Sequence, residues 1–206
     1  MSEKKYVSYS SSNSCSTDLT KQITGCRFSL SPMCDDYISI ILNALKHVDT
    51  SKVWSNTDTL STVYRGKRVH VEDAVKALFI NAYKKDVHMS LEATFSKGSP
   101  GDTEGESYLA EDDLLANELS IKDIHFPVEC KIALYPLGDG NYMDIIPNVV
   151  NTAIDRGIYK ESAHYCTFLQ ADVQSLFSYI DYVNEYCGSH LSHYVFEVTM
   201  AVNLPE

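Results

Sequence analysis

The sequence predicts an α+β protein built from two tandem βαββαβ units. Three observations carry that expectation: an internal duplication, the same order of apolar periodicities in both copies, and a composition sufficient for a core. The chain has 206 residues, 44% of them hydrophobic and 11% aromatic, enough for one large domain or two small ones. The duplication is plainest where CRFSLSPM, starting at Cys26, is set beside CKIALYPL, starting at Cys130. Cys26 matches Cys130, Leu30 matches Leu134 and Pro32 matches Pro136, an offset of 104. One residue is then gained, and the offset of 105 holds to the end: Tyr37 with Tyr142, Ile41 with Ile146, Thr62 with Thr167, His88 with His193, Glu92 with Glu197, Thr94 with Thr199. A register kept over that length assigns two similar units, 24–100 and 128–206, joined by an acidic, Gly-containing connector over 101–127.

Within the first unit, Cys26, Phe28 and Leu30 alternate with polar residues, the period of a strand. Asp35 is placed to cap the helix that follows, on which Tyr37, Ile41, Ala44, Leu45 and Val48 recur at helical spacing. Val53-Trp54 and Leu60 to Tyr64 are two short strands around a turn-like Ser55-Asn56-Thr57-Asp58. Val71, Ala74, Val75, Leu78, Phe79 and Ala82 form the stripe of a second helix. Met89, Leu91, Ala93 and Phe95 then alternate with Ser90, Glu92, Thr94 and Ser96, a last strand. The second unit repeats the order. Its helices carry Tyr142, Ile146, Val149, Val150 and Ala153, then Val173, Leu176, Phe177, Ile180 and Val183. Its last strand alternates Tyr194, Phe196, Val198 and Met200 with Val195, Glu197, Thr199 and Ala201. This is the ferredoxin-like order twice, with both helices of each unit on one face of its sheet. The other face is where function is expected.

Composition excludes several classes. A net charge of −11 and a pI of about 5.0 argue against nucleic acid as a partner, since phosphate binding needs basic surface. No run of about 18 apolar residues is present to span a bilayer. Residues 1–23 are Ser-rich and lack the apolar stretch of a secretory signal, so the expectation is a cytoplasmic protein with a disordered N-terminal extension. The cysteines Cys15, Cys26, Cys34, Cys130, Cys166 and Cys187 make no CxxC pair and no zinc spacing, so they read as reduced, structural thiols and no metal site is expected. His190 and His193 lack further donors nearby. Gly101 to Glu106 superficially suggests a calcium loop, but it lacks the EF-hand spacing and reads as a turn.

No nucleophile elbow, zincin helix, P-loop or dinucleotide fingerprint is present, so no enzyme is expected. The face opposite the apolar rows is more informative. It is expected to carry Glu92 with Thr94 in one unit and Glu197 with Thr199 in the other, with Thr62 and Thr167 on the central strands. A carboxylate and a hydroxyl at matching places would make two equivalent polar pockets. Glu accepts from an aminopyrimidine amine, and a Thr hydroxyl donates to a ring nitrogen. Trp54, Tyr64 and Tyr135 offer rings for stacking on a flat ligand. The backbone near Leu30 and Leu134 offers hydrogen bonds to a heterocycle edge. A solvated face carries Ser, Thr and Glu in any case, so the pattern alone does not make a site.

CRFSLSPMCDDYISIILNAL, DTSKVWSNTDTLSTVYRG, EATFSKGSPGDTEGESYL and CKIALYPLGDGNYMDII, in that order, resemble the YkoF family of bacterial thiamine/hydroxymethylpyrimidine-binding proteins. The resemblance covers nearly the whole chain after Gly25. It implies two ferredoxin-like repeats, a homodimer, one thiamine site in each repeat, no enzymatic activity and no cofactor, thiamine being the ligand. It also implies association with membrane transporter subunits for hydroxymethylpyrimidine (HMP) or thiamine. The ligand contacts it implies fall at Leu30 and Thr62, and at Leu134 and Thr167 in the second repeat. The repeats differ where Ser31 becomes Tyr135 and Arg65-Gly66 becomes Gln170-Ala171, so the two sites are not expected to be identical. The candidate ligand residues are therefore Leu30, Ser31, Trp54, Thr62, Glu92, Leu134, Tyr135, Thr167 and Glu197. Two other readings stand beside this one: a regulatory or structural module that binds protein through its open sheet faces, and an enzyme acting on a thiamine precursor.

Overall fold

The computed structural model describes residues 22–98, 104–137 and 142–205. Of the extension expected over 1–23, positions 1–21 lie outside the described residues, as do Gly101, Asp102 and Thr103 of the calcium-like turn. The first unit runs β1 (Thr24–Pro32), α1 (Tyr37–Leu45), β2 (Trp54–Thr57), β3 (Thr62–Gly66), α2 (Arg68–Ala82) and β4 (Met89–Lys97). After a 3-10 turn at Glu106–Ala110 and the short α3 (Glu118–Ile121) come β5 (Pro127–Leu137), α4 (Tyr142–Asp155), β6 (Tyr159–Ala163), β7 (Cys166–Asp172), α5 (Val173–His190) and β8 (His193–Val202). The expected βαββαβ order is present twice, and each unit is ferredoxin-like.

The two units share one sheet. Its eight strands run β2-β3-β1-β4-β8-β5-β7-β6, and β4 pairs antiparallel with β8 from Met89↔Val202 to Lys97↔Tyr194. Those strands would each be an exposed edge in an isolated unit, so their pairing removes two edges at once. It also brings Phe95 and Phe196 together in the core, centroids 6.3 Å apart. The buried residues of β1, β4, β8 and β5 all point to the side covered by the helices. There Cys26, Phe28, Leu91, Phe95, Val128, Ile132, Phe196 and Val198 meet Val71, Phe79, Val149, Leu176 and Ile180. The opposite face is open.

Some local expectations change. Neither Asp35 nor Asp36 caps α1 by side chain; the N-cap is Asp36, without a side-chain hydrogen bond. The β2–β3 turn is not Ser55 to Asp58 but Asp58 to Ser61. Asp58 Oδ1 accepts from the backbone N–H of Leu60 and of Ser61, both at 2.9 Å. An Asp that binds its own chain two residues on makes the tighter turn, and β2 consequently extends to Thr57. The connector is anchored rather than loose. Asn117 donates to Asp73 Oδ2 through its backbone N–H and its side chain, and Lys76 pairs with Glu118 at 2.8 Å.

Candidate functional site

Register decides which face each candidate occupies, because residues directly opposite in a ladder share a face. Thr62 lies opposite Phe28, and Thr167 opposite Ile132. Both partners are core residues, so both threonines are on the helix side. Leu30 lies opposite Leu91 and Leu134 opposite Phe196, again on that side. The expectation that Thr62 and Thr167 share the open face with the glutamates is overturned. The cause is parity: a single-residue choice of where β3 begins flips every side chain along it.

The helix side holds a repeated constellation. Thr57 stands opposite Thr62, with their Oγ1 atoms 3.0 Å apart. In the second repeat Ser162 stands opposite Thr167, and Ser162 Oγ accepts from the Tyr159 hydroxyl at 3.1 Å. In both repeats the hydroxyl pair lies at the end of the sheet where the first strand finishes, beside a half-buried leucine, Leu30 or Leu134. The helix that begins nearby covers it lightly. Ala44 is the buried residue of α1, while Tyr37, Ile38, Leu42 and Leu45 remain exposed, as do Met143 and Ile146 on α4. Sequence reading passed over Thr57 and Ser162. The signal was available, since they match at the same offset of 105 and both carry hydroxyls.

The open face carries the rest. Glu92 pairs with Thr199 and Thr94 with Glu197 across the β4–β8 seam. Together with Lys131 they line one depression of about 210 Å³. The two Glu/Thr sets therefore share a single basin instead of making two equivalent pockets, because seam pairing places them side by side. Tyr135 joins this group, its hydroxyl 3.4 Å from Glu197 Oε2. The Glu197 charge is the largest cause holding the Tyr135 phenol above its usual range. Ser31, opposite Ser90, is at the far end of β1, and Trp54, opposite Arg65, is on the outermost strand. Neither meets the glutamates. Tyr64 is no stacking platform: it is 2% exposed and packs edge-on to Phe28 with centroids 4.9 Å apart.

Other groups are structural. Arg27 Nη1 donates to Asp58 Oδ2 at 2.7 Å and to Ser61 Oγ at 2.5 Å, which pins the β2–β3 turn to β1. That guanidinium, with the Leu60 and Ser61 amides, holds the Asp58 carboxyl well below the usual carboxylate range. Cys26, Cys130 and Cys187 are buried, and burial pushes the Cys130 and Cys187 thiols up to about 12. His190 Nδ1 is 2.8 Å from the Tyr186 carbonyl of its own helix. Among the described residues no helix is long and apolar enough to cross a membrane.

Comparison with known proteins matches residues 23–102 and 127–206 separately to the model of the YKOF-related family. A relative from Bacillus subtilis (strain 168), named "Putative HMP/thiamine-binding protein YkoF", is 40% identical over 186 residues, covering 90% of this chain and 93% of the relative. The twofold match falls on the two βαββαβ units of the continuous sheet, and the chain belongs to the YKOF-related family.

Proposed function

We propose that the chain binds thiamine or its HMP precursor without transforming it, one molecule per repeat. The sites are the Leu30–Thr62 and Leu134–Thr167 ends of the two half-sheets. The observation that carries this reading is the duplicated constellation on the helix side: a hydroxyl pair, a half-buried leucine and a lightly packed helix at equivalent places. A flat heterocycle suits a mostly apolar slot with a few placed polar groups. Thr62 and Thr167 hydroxyls donate to a ring nitrogen or accept from the exocyclic amine, and strand backbone near Leu30 and Leu134 supplies the remaining hydrogen bonds. The partner of the Thr62 hydroxyl is another hydroxyl, Thr57, at 3.0 Å, and not a general base, which favours binding over catalysis. The net charge of −11 favours a thiazolium cation at long range. In the cell, the reading is of a cytoplasmic homodimer that serves a thiamine-precursor transport system and contacts its membrane subunits.

A second reading rests on the open face. Glu92 and Glu197 are exposed there in one basin, and exposed Tyr135 reaches Glu197 from beside it, which suits a regulatory or structural protein contact. Calorimetric titration with thiamine and with HMP, of the wild type, Thr62→Val and Thr167→Val, tests the first reading. Two binding events, each weakened by its own substitution, are expected. An absence of heat and of thermal stabilisation with either ligand overturns it and leaves the open-face reading.

A further inference from the structure

The two hydroxyl pairs are built alike but bonded differently. In the first repeat β2 pairs regularly with β3 from Trp54↔Arg65 to Thr57↔Thr62, and the Thr57 and Thr62 Oγ1 atoms lie 3.0 Å apart. In the second repeat the register shifts between Tyr159 and Glu161. Tyr159 faces Leu169 while Glu161 already faces Phe168, so Lys160 is the extra residue of a bulge. One inserted residue reverses the face of the chain on its far side. Trp54 and Tyr159 match at the offset of 105. Yet Trp54 stands opposite Arg65 on the open side, and Tyr159 stands opposite Leu169, a fully buried core residue, on the helix side.

That reversal brings a phenol to the second hydroxyl pair. Tyr159 packs against the core, and its hydroxyl donates to Ser162 Oγ at 3.1 Å. A phenol is more acidic than an aliphatic hydroxyl, so it is the natural donor of the two. Ser162 is thereby held to its own strand. Ser162 and Thr167 are ladder partners as Thr57 and Thr62 are, but the Thr167 hydroxyl has no hydrogen-bond partner among the described residues. Thr167 is 8% exposed, and its oxygen is not sealed from solvent. Thr62, by contrast, is half-buried and already partnered. A buried hydroxyl that must find its partner on the ligand rejects an analogue lacking that partner, because the hydroxyl is then left unpaired. A hydroxyl bonded to its neighbour loses less.

We propose that Tyr159 is a positioning residue that makes the second repeat's site the more discriminating of the two, selective for heterocycles with a ring-nitrogen acceptor beside an N–H donor. The inference deepens the reading of the Thr62 and Thr167 ends as ligand sites and rests on it. By holding Ser162, the Tyr159 hydroxyl leaves Thr167 wholly to the ligand edge. The Thr167 proton goes to the ring nitrogen, and its oxygen accepts from the amine. Thr62 keeps Thr57 as a partner whatever is bound, so the first site tolerates a ring without those groups more readily. Tyr159 acts through Ser162 and not on the ligand.

The test is calorimetry of the full chain with HMP and with 2,4-dimethylbenzyl alcohol, the isostere in which C–H and methyl replace the ring nitrogens and the amine. The second site is read in Thr62→Val, where the first is weakened, and the first site in Thr167→Val. The preference for HMP over the isostere is expected to be about tenfold greater at the second site. Tyr159→Phe keeps the ring and frees Ser162 to bond Thr167. It is expected to bring the second site's preference down to the first site's by strengthening isostere binding, which structural damage alone would weaken. Adding Ser162→Ala to Tyr159→Phe is expected to restore the preference. In the first repeat Thr57→Val removes the partner of Thr62 and is expected to raise the preference there, an arm that does not depend on the folding of a Tyr159 variant. Equal preferences at the two sites with HMP still bound, or a preference unmoved by Tyr159→Phe or by Thr57→Val, overturn the proposal and leave the ligand reading standing. No binding of HMP to the wild type overturns both.

Discussion

Thr57 and Thr62 face each other across the β2–β3 ladder with their hydroxyl oxygens 3.0 Å apart, on the side of the sheet that the helices cover. Ser162 and Thr167 hold the matching places in the second repeat. A hydroxyl whose neighbour is another hydroxyl has its proton direction set by that neighbour. If the proposed sites hold, Thr57→Val and Ser162→Ala are therefore expected to weaken ligand binding in their own repeat by less than Thr62→Val and Thr167→Val, which remove the proposed contacting hydroxyl and are expected to cost about tenfold. Calorimetry of the four single variants checks the order. Equal losses would show that the outer hydroxyls touch the ligand themselves.

Gly98 closes the first unit against the second with φ +84°, and a Cβ placed there would be 2.3 Å from the Ser192 carbonyl. Gly98→Ala combines left-handed strain with a backbone clash that no rotamer relieves. A loss of ~2 kcal/mol or more is expected in urea unfolding. A loss within a few tenths of a kcal/mol would mean that the α5–β8 turn moves aside freely.

Burial first, and a hydrogen bond to Asp181 next, raise the Glu72 carboxyl well above its ordinary value of 4.5. A raised acid binds its proton more tightly in the folded state than in the unfolded one. Its contribution to stability therefore falls as pH rises from 4.5 towards the folded value and is lowest above that. Glu72→Gln keeps the shape and still donates to Asp181. It is expected to flatten the pH dependence above 4.5 and to be neutral or stabilising at pH 7. Urea midpoints across that range, wild type against variant, decide it; an unchanged slope would show that Glu72 stays ionised.

Cys26, Cys130 and Cys187 are buried, whereas Cys34 and Cys166 are partly exposed. In a Cys15→Ser background a disulfide reagent at neutral pH is expected to modify Cys34 and Cys166 in the native protein and the other three only after unfolding. Mass mapping before and after urea reads this directly. Native modification of Cys26 or Cys130 would show that the first strand of a repeat opens.

Periodicity and duplication sufficed for the architecture. Each helix stripe and strand alternation is local, and a second copy at offset 105 checks the first. The same local patterns placed Glu92, Thr94, Glu197 and Thr199 on the open face correctly. They failed at Thr62, because β3 is only Thr62–Gly66 and so short a strand declares its face through its partner, Phe28, which is 34 residues away by numbering. Asp58 misled in a related way: as a turn residue it was recognisable, but its bonds to Leu60 and Ser61 set the turn later than composition suggested.

The sequence by itself determined two βαββαβ copies, their core rows, and the residue types available for a ligand. Tertiary structure alone decided that the copies fuse edge to edge through β4 and β8 and that Glu92 and Glu197 meet in one basin. It also decided that the hydroxyl pairs lie on the helix side of the sheet, and that a cleft opens between α2 and α5. Each of these depends on pairing between residues far apart in the chain. Such pairing is set by the burial of whole faces and edges, a collective term that no local spacing encodes.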